Sequence, residues 1–293
     1  MRLPDRLTSY TTRSLLIGAL LVSVGLSVRA QEPGTVVAAD KRVQGRSYVF
    51  AGTGKQIPYA VFVPSTYSPA KKWPLMVGLH GLGRPYDWLM GYDGIIDFAE
   101  RDGYVMVTPL GYDSRGWYGS RGTGPAGAGA APGRGAATAE PPPPNLGALS
   151  EQDVMNVLEI ARRDFNIDPD RIYLWGHSMG GAGTYHLAAK HPDVWAALAV
   201  AAPAPSATVG VGPDALDTFK HIPILVLQGE ADQTVPVTQT RQWVQRMRQI
   251  GMAHVYVEAK GGDHTNFIAK DREMMSKVFS FFNVVRKNQR PPL

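Results

Sequence analysis

The sequence predicts an α/β fold with a mostly parallel, doubly wound sheet of about eight strands and flanking helices. Short apolar runs alternate with segments whose apolar residues recur at helical spacing. Several of the apolar runs are continuous, which is typical of strands covered on both faces. Strands and helices that alternate in this way, without repeats, indicate parallel strands joined by crossover helices.

The fold is predicted to open with an antiparallel pair of strands. The runs "RSYVFAG" and "IPYAVFVP" show strand-like alternation and are separated by the turn "TGK". Two buried strands follow, "PLMVGLHG" (74–81) and "YVMVTP" (104–109), and a short helix ended by Gly103 lies between them.

A long helix and another buried strand come next. Ser150 is predicted to cap this helix, with Asp153 three positions on as its capping-box-like partner. "NIDPDR" is predicted to be a turn, and "IYLWG" is the following strand. The remaining elements are a helix (about 178–190), the strand "AALAVAA", the strand "IPILVLQG", a helix (about 238–250), the strand "HVYVEA" and a helix (about 271–285).

Length and composition fit a single large domain, which we place at residues 46–290. The chain has 293 residues, of which 44% are hydrophobic and 19% are charged, as in ordinary globular proteins. The formal net charge is +5, and residues 1–30, with four arginines and one aspartate, carry about +3 of it. Because no Lys/Arg cluster is present elsewhere, the charge does not indicate nucleic-acid binding.

The N-terminus has the layout of a secretory signal peptide over residues 1–30. Arg13 is the basic flank, an apolar run ends at Val28, and Ala30 precedes the expected cleavage site. An uncleaved membrane anchor is the alternative, but the run is short for a membrane span. Residues 31–45 are expected to be a disordered lead-in of a secreted or periplasmic protein that does not bind membranes after cleavage. The chain has no cysteine, so disulfides cannot stabilise it.

A Gly-, Ala- and Pro-rich insertion at about 119–147 interrupts the alternation of strands and helices. Its composition cannot form a packed core, and we expect residues 121–144 to be a surface insertion. The flanking stretch "GYDSRGWYGS" differs, because it directly follows a predicted parallel strand, on the side where α/β sheets bind ligands.

The segment "GHSMGG" carries the strongest functional signal. It follows a predicted strand, precedes a predicted helix and fits the G-x-S-x-G nucleophile elbow. Gly176 and Gly180 let the strand and the helix approach closely around a sharp turn at Ser178. The Met179 N–H, at the helix N-terminus, can stabilise an oxyanion. The alternative is a turn without chemistry, but the strand–turn–helix context favours a nucleophile.

A serine nucleophile needs a base and an acid that orients the base. His264 follows the strand "HVYVEA" in a glycine-rich loop, and Asp232 lies in the loop after "IPILVLQG". Both loops leave the sheet at the same edge as Ser178, so these three residues can meet. Glu230 and Asp263 are rival acids. Asp232 is preferred because it lies deeper in its loop, whereas the adjacent side chains of Asp263 and His264 are expected to diverge.

The second oxyanion donor is expected in the loop after an earlier strand. In "LHGLGRP", Gly81 and Gly83 permit an unusual backbone that can direct the Leu82 N–H inward. His80 is expected to brace this loop and His177 to pack against the sheet, so neither is a candidate base.

The motifs "LHGLG", "GHSMGGAGT", "GEADQTVP" and "GGDH" resemble those of the α/β-hydrolase superfamily. Over roughly residues 47–285 the chain resembles secreted esterases and peptidase-like members related to polyhydroxybutyrate depolymerases and feruloyl esterases. The resemblance implies an α/β-hydrolase fold and a Ser–His–Asp hydrolase of carboxylic esters, with no metal and no organic cofactor. It does not specify the small or polymeric ester substrate, because this fold supports many chemistries.

We therefore expect a serine carboxylesterase that works through an acyl-enzyme. A peptidase of the same fold and a non-catalytic binding module are the alternatives. Four large rings near the predicted site are candidate substrate contacts, unless they simply pack the loops against the domain. These rings are Trp117, Tyr118, Tyr86 and Trp88. The sequence does not indicate an oligomeric state.

Overall fold

The computed structural model describes residues 40–124, 142–206 and 212–289. The predicted signal peptide, most of the lead-in and the centre of the insertion lie outside the described residues. Within the expected lead-in, the first strand already begins at Gln44, because Gln44 and Gly45 pair in antiparallel register with the second strand.

Within the described residues, eight strands form one sheet in the order β1-β2-β4-β3-β5-β6-β7-β8, and β2 is the strand that runs against the rest. The sheet is therefore mostly parallel, and the predicted fold class is confirmed. The strands are β1 (Gln44–Val49), β2 (Gln56–Phe62), β3 (Trp73–Leu79), β4 (Val105–Pro109), β5 (Ile167–His177), β6 (Ala197–Ala201), β7 (Ile224–Gly229) and β8 (His254–Ala259).

Helices connect the strands and cover both faces of the sheet. They are α1 (Ile95–Asp102), α2 (Leu146–Asp164), α3 (Met179–Lys190), α4 (Leu216–Phe219), α5 (Val237–Gln249), α6 (Asn266–Ala269) and α7 (Arg272–Val284). Leu75 and Val77 of β3 belong to the core cluster that contains Tyr185 of α3, whereas Met76 belongs to the cluster that contains Phe279 of α7. Successive strand residues thus face two separate apolar layers, which explains the continuous apolar runs.

Two local predictions are wrong. The stretch predicted as the turn "NIDPDR" mostly belongs to β5, because Ile167 pairs with Trp73 before the register of the ladder shifts. The helix predicted to be capped at Ser150 begins at Leu146, so Ser150 and Asp153 lie buried inside α2. Their polar groups bond the loop after β4 instead of the helix N-terminus.

The carboxyl ends of the parallel strands meet at one edge of the sheet. The loops after β3, β4, β5, β7 and β8 leave there, so residues that are far apart in sequence come together at this edge. Among the described helices, none is long and apolar enough to cross a bilayer.

Candidate active site

Ser178 occupies the sharp turn between β5 and α3. Its backbone has a φ of 57° and a ψ of −114°, a strained conformation for a residue other than glycine. A Cβ at Gly176 would lie 2.1 Å from the Gly180 carbonyl oxygen, and a Cβ at Gly180 would lie 1.9 Å from the Leu79 carbonyl oxygen. Both positions therefore require glycine. The Ser178 N–H donates to the Ala201 carbonyl (2.9 Å), which fixes the turn against β6.

The structure brings Ser178, His264 and Asp232 into one hydrogen-bonded chain. His264 Nε2 lies 2.9 Å from Ser178 Oγ, and His264 Nδ1 lies 2.8 Å from Asp232 Oδ2. Because a carboxylate only accepts hydrogen bonds, the Nδ1 atom carries the proton of a neutral His264 ring. Nε2 is then free to accept the proton of the serine hydroxyl, which is the arrangement that general-base activation requires.

The carboxylate of Asp232 is buried and accepts four hydrogen bonds. Oδ1 accepts from the N–H groups of Thr234 and Val235 (2.8 Å each), and Oδ2 accepts from His264 and from Gln228 Nε2 (2.9 Å). Burial disfavours the charged form, but the hydrogen bonds and the nearby His264 outweigh it. The pKa of Asp232 therefore lies below its ordinary value of 3.8. Asp232 is thus an anion at neutral pH and can hold a protonated His264.

The rival acids Glu230 and Asp263 make other contacts. Glu230 Oε2 accepts from the Gly261 N–H at 2.9 Å. Asp263 Oδ1 accepts from backbone N–H groups at the start of α6, including that of Asn266 at 2.6 Å. Of the three carboxylates, Asp232 is the one bonded to His264.

His177, directly before Ser178, holds the main chain of His264. Its Nε2 lies 2.8 Å from the His264 carbonyl oxygen, and its Nδ1 lies 2.8 Å from the Tyr92 hydroxyl oxygen. Since a carbonyl only accepts, Nε2 donates to it and the Tyr92 hydroxyl donates to Nδ1. Burial, with a smaller contribution from His264, lowers the pKa of His177 to about 3. This neutral ring fixes the main-chain position of His264.

The loop after β3 forms a β-turn over residues 81–84. The Arg84 N–H donates to the Gly81 carbonyl (3.2 Å), and Gly83 has a φ of 69°, which a type II turn requires at its third position. The Gly83 N–H donates to the Ser114 carbonyl (2.9 Å) and ties the turn to the loop after β4. This geometry leaves the N–H of Leu82, at the second position, without a carbonyl partner among the described residues.

The turn lies directly beside Ser178. A Cβ placed at Gly81 would lie 3.7 Å from Ser178 Cβ. Met179 is the first residue of α3, where backbone N–H groups have no intrahelical partner. The N–H groups of Leu82 and Met179 are thus two donors close to Ser178, one in the turn after β3 and one at the N-terminus of α3.

His80 links this turn to the neighbouring loop. Its ring nitrogens lie 2.8 Å and 2.9 Å from the carbonyl oxygens of Gly81 and Leu110. Burial lowers the pKa of His80, so the neutral ring donates to one of these carbonyls. The ring therefore occupies the bracing position expected from the sequence.

A second buried carboxylate, Asp153 of α2, holds the loop after β4. Its Oδ2 accepts from the N–H groups of Gly111 (2.7 Å) and Tyr112 (2.9 Å), and its Oδ1 accepts from the Tyr48 hydroxyl (2.5 Å). Ser150 accepts from the Tyr118 N–H (3.0 Å) in the same loop. These hydrogen bonds explain why two polar side chains, Ser150 and Asp153, are buried inside α2.

Two of the four candidate substrate rings lie in the core. Trp117 is 6% exposed and Tyr118 is fully buried. A Cβ placed at Gly183 of α3 would lie 2.7 Å from the Tyr118 ring, so helix and ring are in close contact. Burial on this scale favours the packing role of Trp117 and Tyr118 over substrate contact.

The other two rings flank the turn after β3. The Tyr86 hydroxyl lies against Gly45 of β1, 3.0 Å from a Cβ placed there. Trp88 lies beside Gly81, with its ring edge 3.4 Å from a Cβ at that position, and stacks on His177 at a centroid distance of 5.4 Å. Of the four rings, Trp88 is therefore the one that contacts residues next to Ser178, namely Gly81 and His177.

The sequence analysis did not identify Tyr92 or Gln228 as parts of this site. Gln228 carries a usable signal, since it is a polar residue at the end of the apolar run "IPILVLQG", and its Oε1 accepts from Thr240 (2.7 Å). Tyr92 carries none, because its contact with His177 depends on folding across 85 residues. Among the described residues, no group of three or more His, Cys, Asp or Glu side chains could hold a metal ion.

Comparison with known proteins gives one family and many similar structures. The sequence pattern of the family described as "Putative esterase" matches residues 51–271. The bifunctional acetylxylan esterase/xylanase XynS20E of Neocallimastix patriciarum is 26% identical over 200 residues, which is 67% of this chain and 24% of that protein. This chain thus spans about a quarter of the length of that relative.

Two esterases are among the solved structures with the same fold. A thermostable esterase superposes with a TM-score of 0.59 at 24% identity, covering 84% of this chain and 63% of its own. The ferulic acid esterase AmCE1/Fae1A of Anaeromyces mucronatus superposes with a TM-score of 0.61 at 17% identity, covering 86% of this chain and 95% of its own. At these identities the structures establish the α/β-hydrolase fold.

Proposed function

The chain belongs to the esterase family, and from that premise we propose that it is a carboxylesterase-type hydrolase that cleaves esters through Ser178, His264, Asp232 and a covalent acyl-enzyme. The observation that carries the proposal is the unbroken hydrogen-bonded chain of these three side chains, with distances of 2.8 Å and 2.9 Å. The strained turn at Ser178 supports it further, because such strain is typical of nucleophile elbows.

In the acylation step, Ser178 Oγ attacks the ester carbonyl carbon while its proton passes to His264 Nε2. The carbonyl electron pair moves to oxygen and forms a tetrahedral oxyanion. His264, now cationic, is stabilised by the Asp232 carboxylate. The carbon–oxygen bond to the alcohol then breaks, the alcohol takes the proton from Nε2, and the acyl group remains on Ser178.

Deacylation repeats the same proton path with water. Water attacks the acyl carbon as Nε2 accepts its proton, and the second oxyanion collapses with departure of Ser178 Oγ. The proton returns from Nε2 to that oxygen, and the carboxylic acid product is released. His177 and Tyr92 act as positioning residues, since their hydrogen bonds fix the His264 main chain during both steps.

The oxyanion is held in this proposal by the N–H groups of Met179 and Leu82. Support comes from their lack of a carbonyl partner among the described residues and from their closeness to Ser178. Donors fixed in advance by a helix N-terminus and a type II turn need no rearrangement when the charge develops.

The proposal is tested with purified wild-type protein and Ser178→Ala, assayed on aryl esters, alkyl esters and peptide amides. Ester hydrolysis should fall about 10⁴- to 10⁶-fold in Ser178→Ala while the circular dichroism spectrum is unchanged. Ser280→Ala, at an exposed position of α7, is the matched control. Ester turnover that survives in Ser178→Ala would refute the proposed nucleophile. Turnover of the peptide amides by the wild-type protein, lost in Ser178→Ala, would indicate a peptidase.

Residues 1–30 are proposed to be a signal peptide that directs the enzyme to the periplasm or the exterior. The basic flank and apolar run of the sequence support this proposal. N-terminal sequencing of the exported protein should begin at Gln31. An intact Met1 terminus in the membrane fraction would instead indicate an anchor.

A further inference from the structure

Arg84, the last residue of the turn after β3, carries a positive charge and has no acidic partner in the part of the chain that the structure describes. Its side chain is partly buried, yet no carboxylate of the described residues lies within 4.0 Å of it and none of their acceptors takes a hydrogen bond from its guanidinium. Several other arginines of the described regions are paired, as Arg241 is with Glu258 and Arg246 is with Asp217. A partly exposed guanidinium with no acidic partner among the described residues is available to an anionic ligand.

The Trp88 ring links the guanidinium to the turn beside Ser178. Its Cζ atom is 5.1 Å from the centre of the Trp88 ring. That ring stacks on His177, and its edge adjoins Gly81, where an added Cβ would lie 3.7 Å from Ser178 Cβ. Arg84 also follows Leu82 by two residues, so one short turn presents both the free N–H and the cation.

The positive charge of Arg84 influences two histidines on this side of the site. Burial is the largest cause of the low pKa of His177, and Arg84 lowers that pKa further. It acts in the same direction on the pKa of His80, where Asp113 opposes it. Asp113 is itself bonded to the Arg115 N–H (2.8 Å), and the anion Asp232 is bonded to His264. An anionic substrate group near Trp88 would therefore meet a positive potential.

We infer that Arg84 forms an anion subsite beside the oxyanion turn and that the preferred substrates are esters carrying a carboxylate a few atoms from the scissile carbonyl. The inference rests on the function proposed above. A guanidinium presents two parallel N–H donors that match the two oxygens of a carboxylate. The Trp88 ring packs against the planar face of the Arg84 guanidinium and limits the directions in which its N–H donors can point. The substrate's carbonyl oxygen would bind Leu82 and its carboxylate would bind Arg84, on opposite ends of one turn.

The test compares matched esters that differ in charge. Mono-4-nitrophenyl succinate and 4-nitrophenyl butyrate place the difference in the acyl part, and 4-acetoxybenzoate and its methyl ester place it in the alcohol part. The wild-type protein should prefer the anionic member of at least one pair in kcat/KM. In Arg84→Gln this charged-to-neutral ratio should fall at least tenfold, and Arg84→Lys should restore part of it. The pair that responds tells which side of the ester carries the carboxylate.

Lys71→Gln is the matched control, because Lys71 also stacks on a tryptophan, Trp73 (3.9 Å), at the opposite end of β3. It should leave the ratio unchanged, whereas added salt should lower the ratio of the wild-type protein. An equal loss on both members of each pair in Arg84→Gln would overturn the anion subsite and make Arg84 a packing residue. Absence of turnover on all four esters in the wild-type protein would instead refute the proposed esterase mechanism.

Discussion

Asp232 and Asp153 are two buried aspartates that bond similar backbone groups, yet their side-chain partners are different. Each accepts two main-chain N–H groups, Asp232 in the loop after β7 and Asp153 from the loop after β4. Their remaining partners differ, since Asp232 bonds His264 and Asp153 bonds the Tyr48 hydroxyl. A group that can become a cation therefore faces one carboxylate and not the other.

This difference appears in the charge state of the two groups. Burial is the largest influence on both pKa values. At Asp153 it prevails over the hydrogen bonds and raises the pKa, whereas at Asp232 the bonds from His264 and the N–H groups prevail and the pKa falls. Burial and backbone hydrogen bonds are thus common to both aspartates and do not distinguish a candidate catalytic acid. The side chain that is hydrogen-bonded to the carboxylate does, a histidine at Asp232 and a tyrosine at Asp153.

The largest expected difference between the two carboxylates is in activity. Asp232→Asn should lower kcat by about 10⁴-fold, because the His264 ring loses the anion that fixes its tautomer and stabilises its charge. Steady-state assays on a neutral aryl ester, with circular dichroism to verify folding, measure this loss. A folded Asp232→Asn protein that keeps more than a tenth of wild-type kcat would show that Asp232 does not orient His264 for catalysis.

Asp153→Asn is expected to affect stability more than catalysis. Asparagine replaces one carboxylate oxygen with an NH2 group, so one of the three donors to Asp153 loses its acceptor. The free energy of unfolding should therefore fall by about 1–3 kcal/mol. Urea denaturation measures this change, and kcat should stay within about tenfold of the wild-type value because the chain from Asp232 to Ser178 is intact. A loss of kcat as large as that of Asp232→Asn would show that Asp153 belongs to the catalytic machinery.

The pH dependence of stability should have opposite signs at the two sites. The folded-state pKa of Asp232 is below 3.8, so its stabilising contribution is present above about 3.8 and is lost as pH falls through the lower value. The folded-state pKa of Asp153 is above 3.8, so its contribution is present below about 3.8 and is lost as pH rises through the higher value.

Denaturation at a series of pH values tests this, with each Asn variant subtracted from the wild-type protein. The difference should grow with rising pH for Asp232 and shrink with rising pH for Asp153. The same sign for both residues would mean that their environments do not differ in the way described.

The smallest expected effects concern the rival acids. Glu230→Gln should change kcat by no more than about threefold, because its carboxylate bonds only the Gly261 N–H among the described residues. Asp263→Asn keeps an oxygen acceptor for the N–H groups at the start of α6 and should change stability by no more than about 0.5 kcal/mol. Kinetic and thermal assays of both proteins suffice, and a kcat loss near that of Asp232→Asn in either would transfer the orienting role.

The sequence is sufficient to predict the sheet and to nominate the three residues that meet at its edge. Apolar runs and the glycines around Ser178 are local signals, and strand order along the chain places His264 and Asp232 at the same edge. The helix cap predicted at Ser150, with Asp153 as its partner, is wrong, because the main-chain partners of Asp153, Gly111 and Tyr112, lie more than 40 residues away. Such long-range contacts leave no mark in local spacing.

The aromatic loop after β4 shows the same limit. Its composition predicts rings near the ligand edge, but not that Tyr118 turns into the core against α3. Tyr112, Trp117 and Tyr118 all have positive φ values, between 51° and 61°, and these point the rings inward. Backbone conformations of this kind in large residues are set by tertiary packing and have no sequence signature.

The most direct test of the central claim is the site at which a fluorophosphonate probe attaches. If Ser178 is the nucleophile activated by His264 and Asp232, mass spectrometry of the labelled wild-type protein should find the phosphonate on Ser178. Ser178→Ala should not be labelled, and Asp232→Asn should be labelled far more slowly than Asp153→Asn. Labelling at a different residue, or equally fast labelling of Asp232→Asn and Asp153→Asn, would contradict the claim.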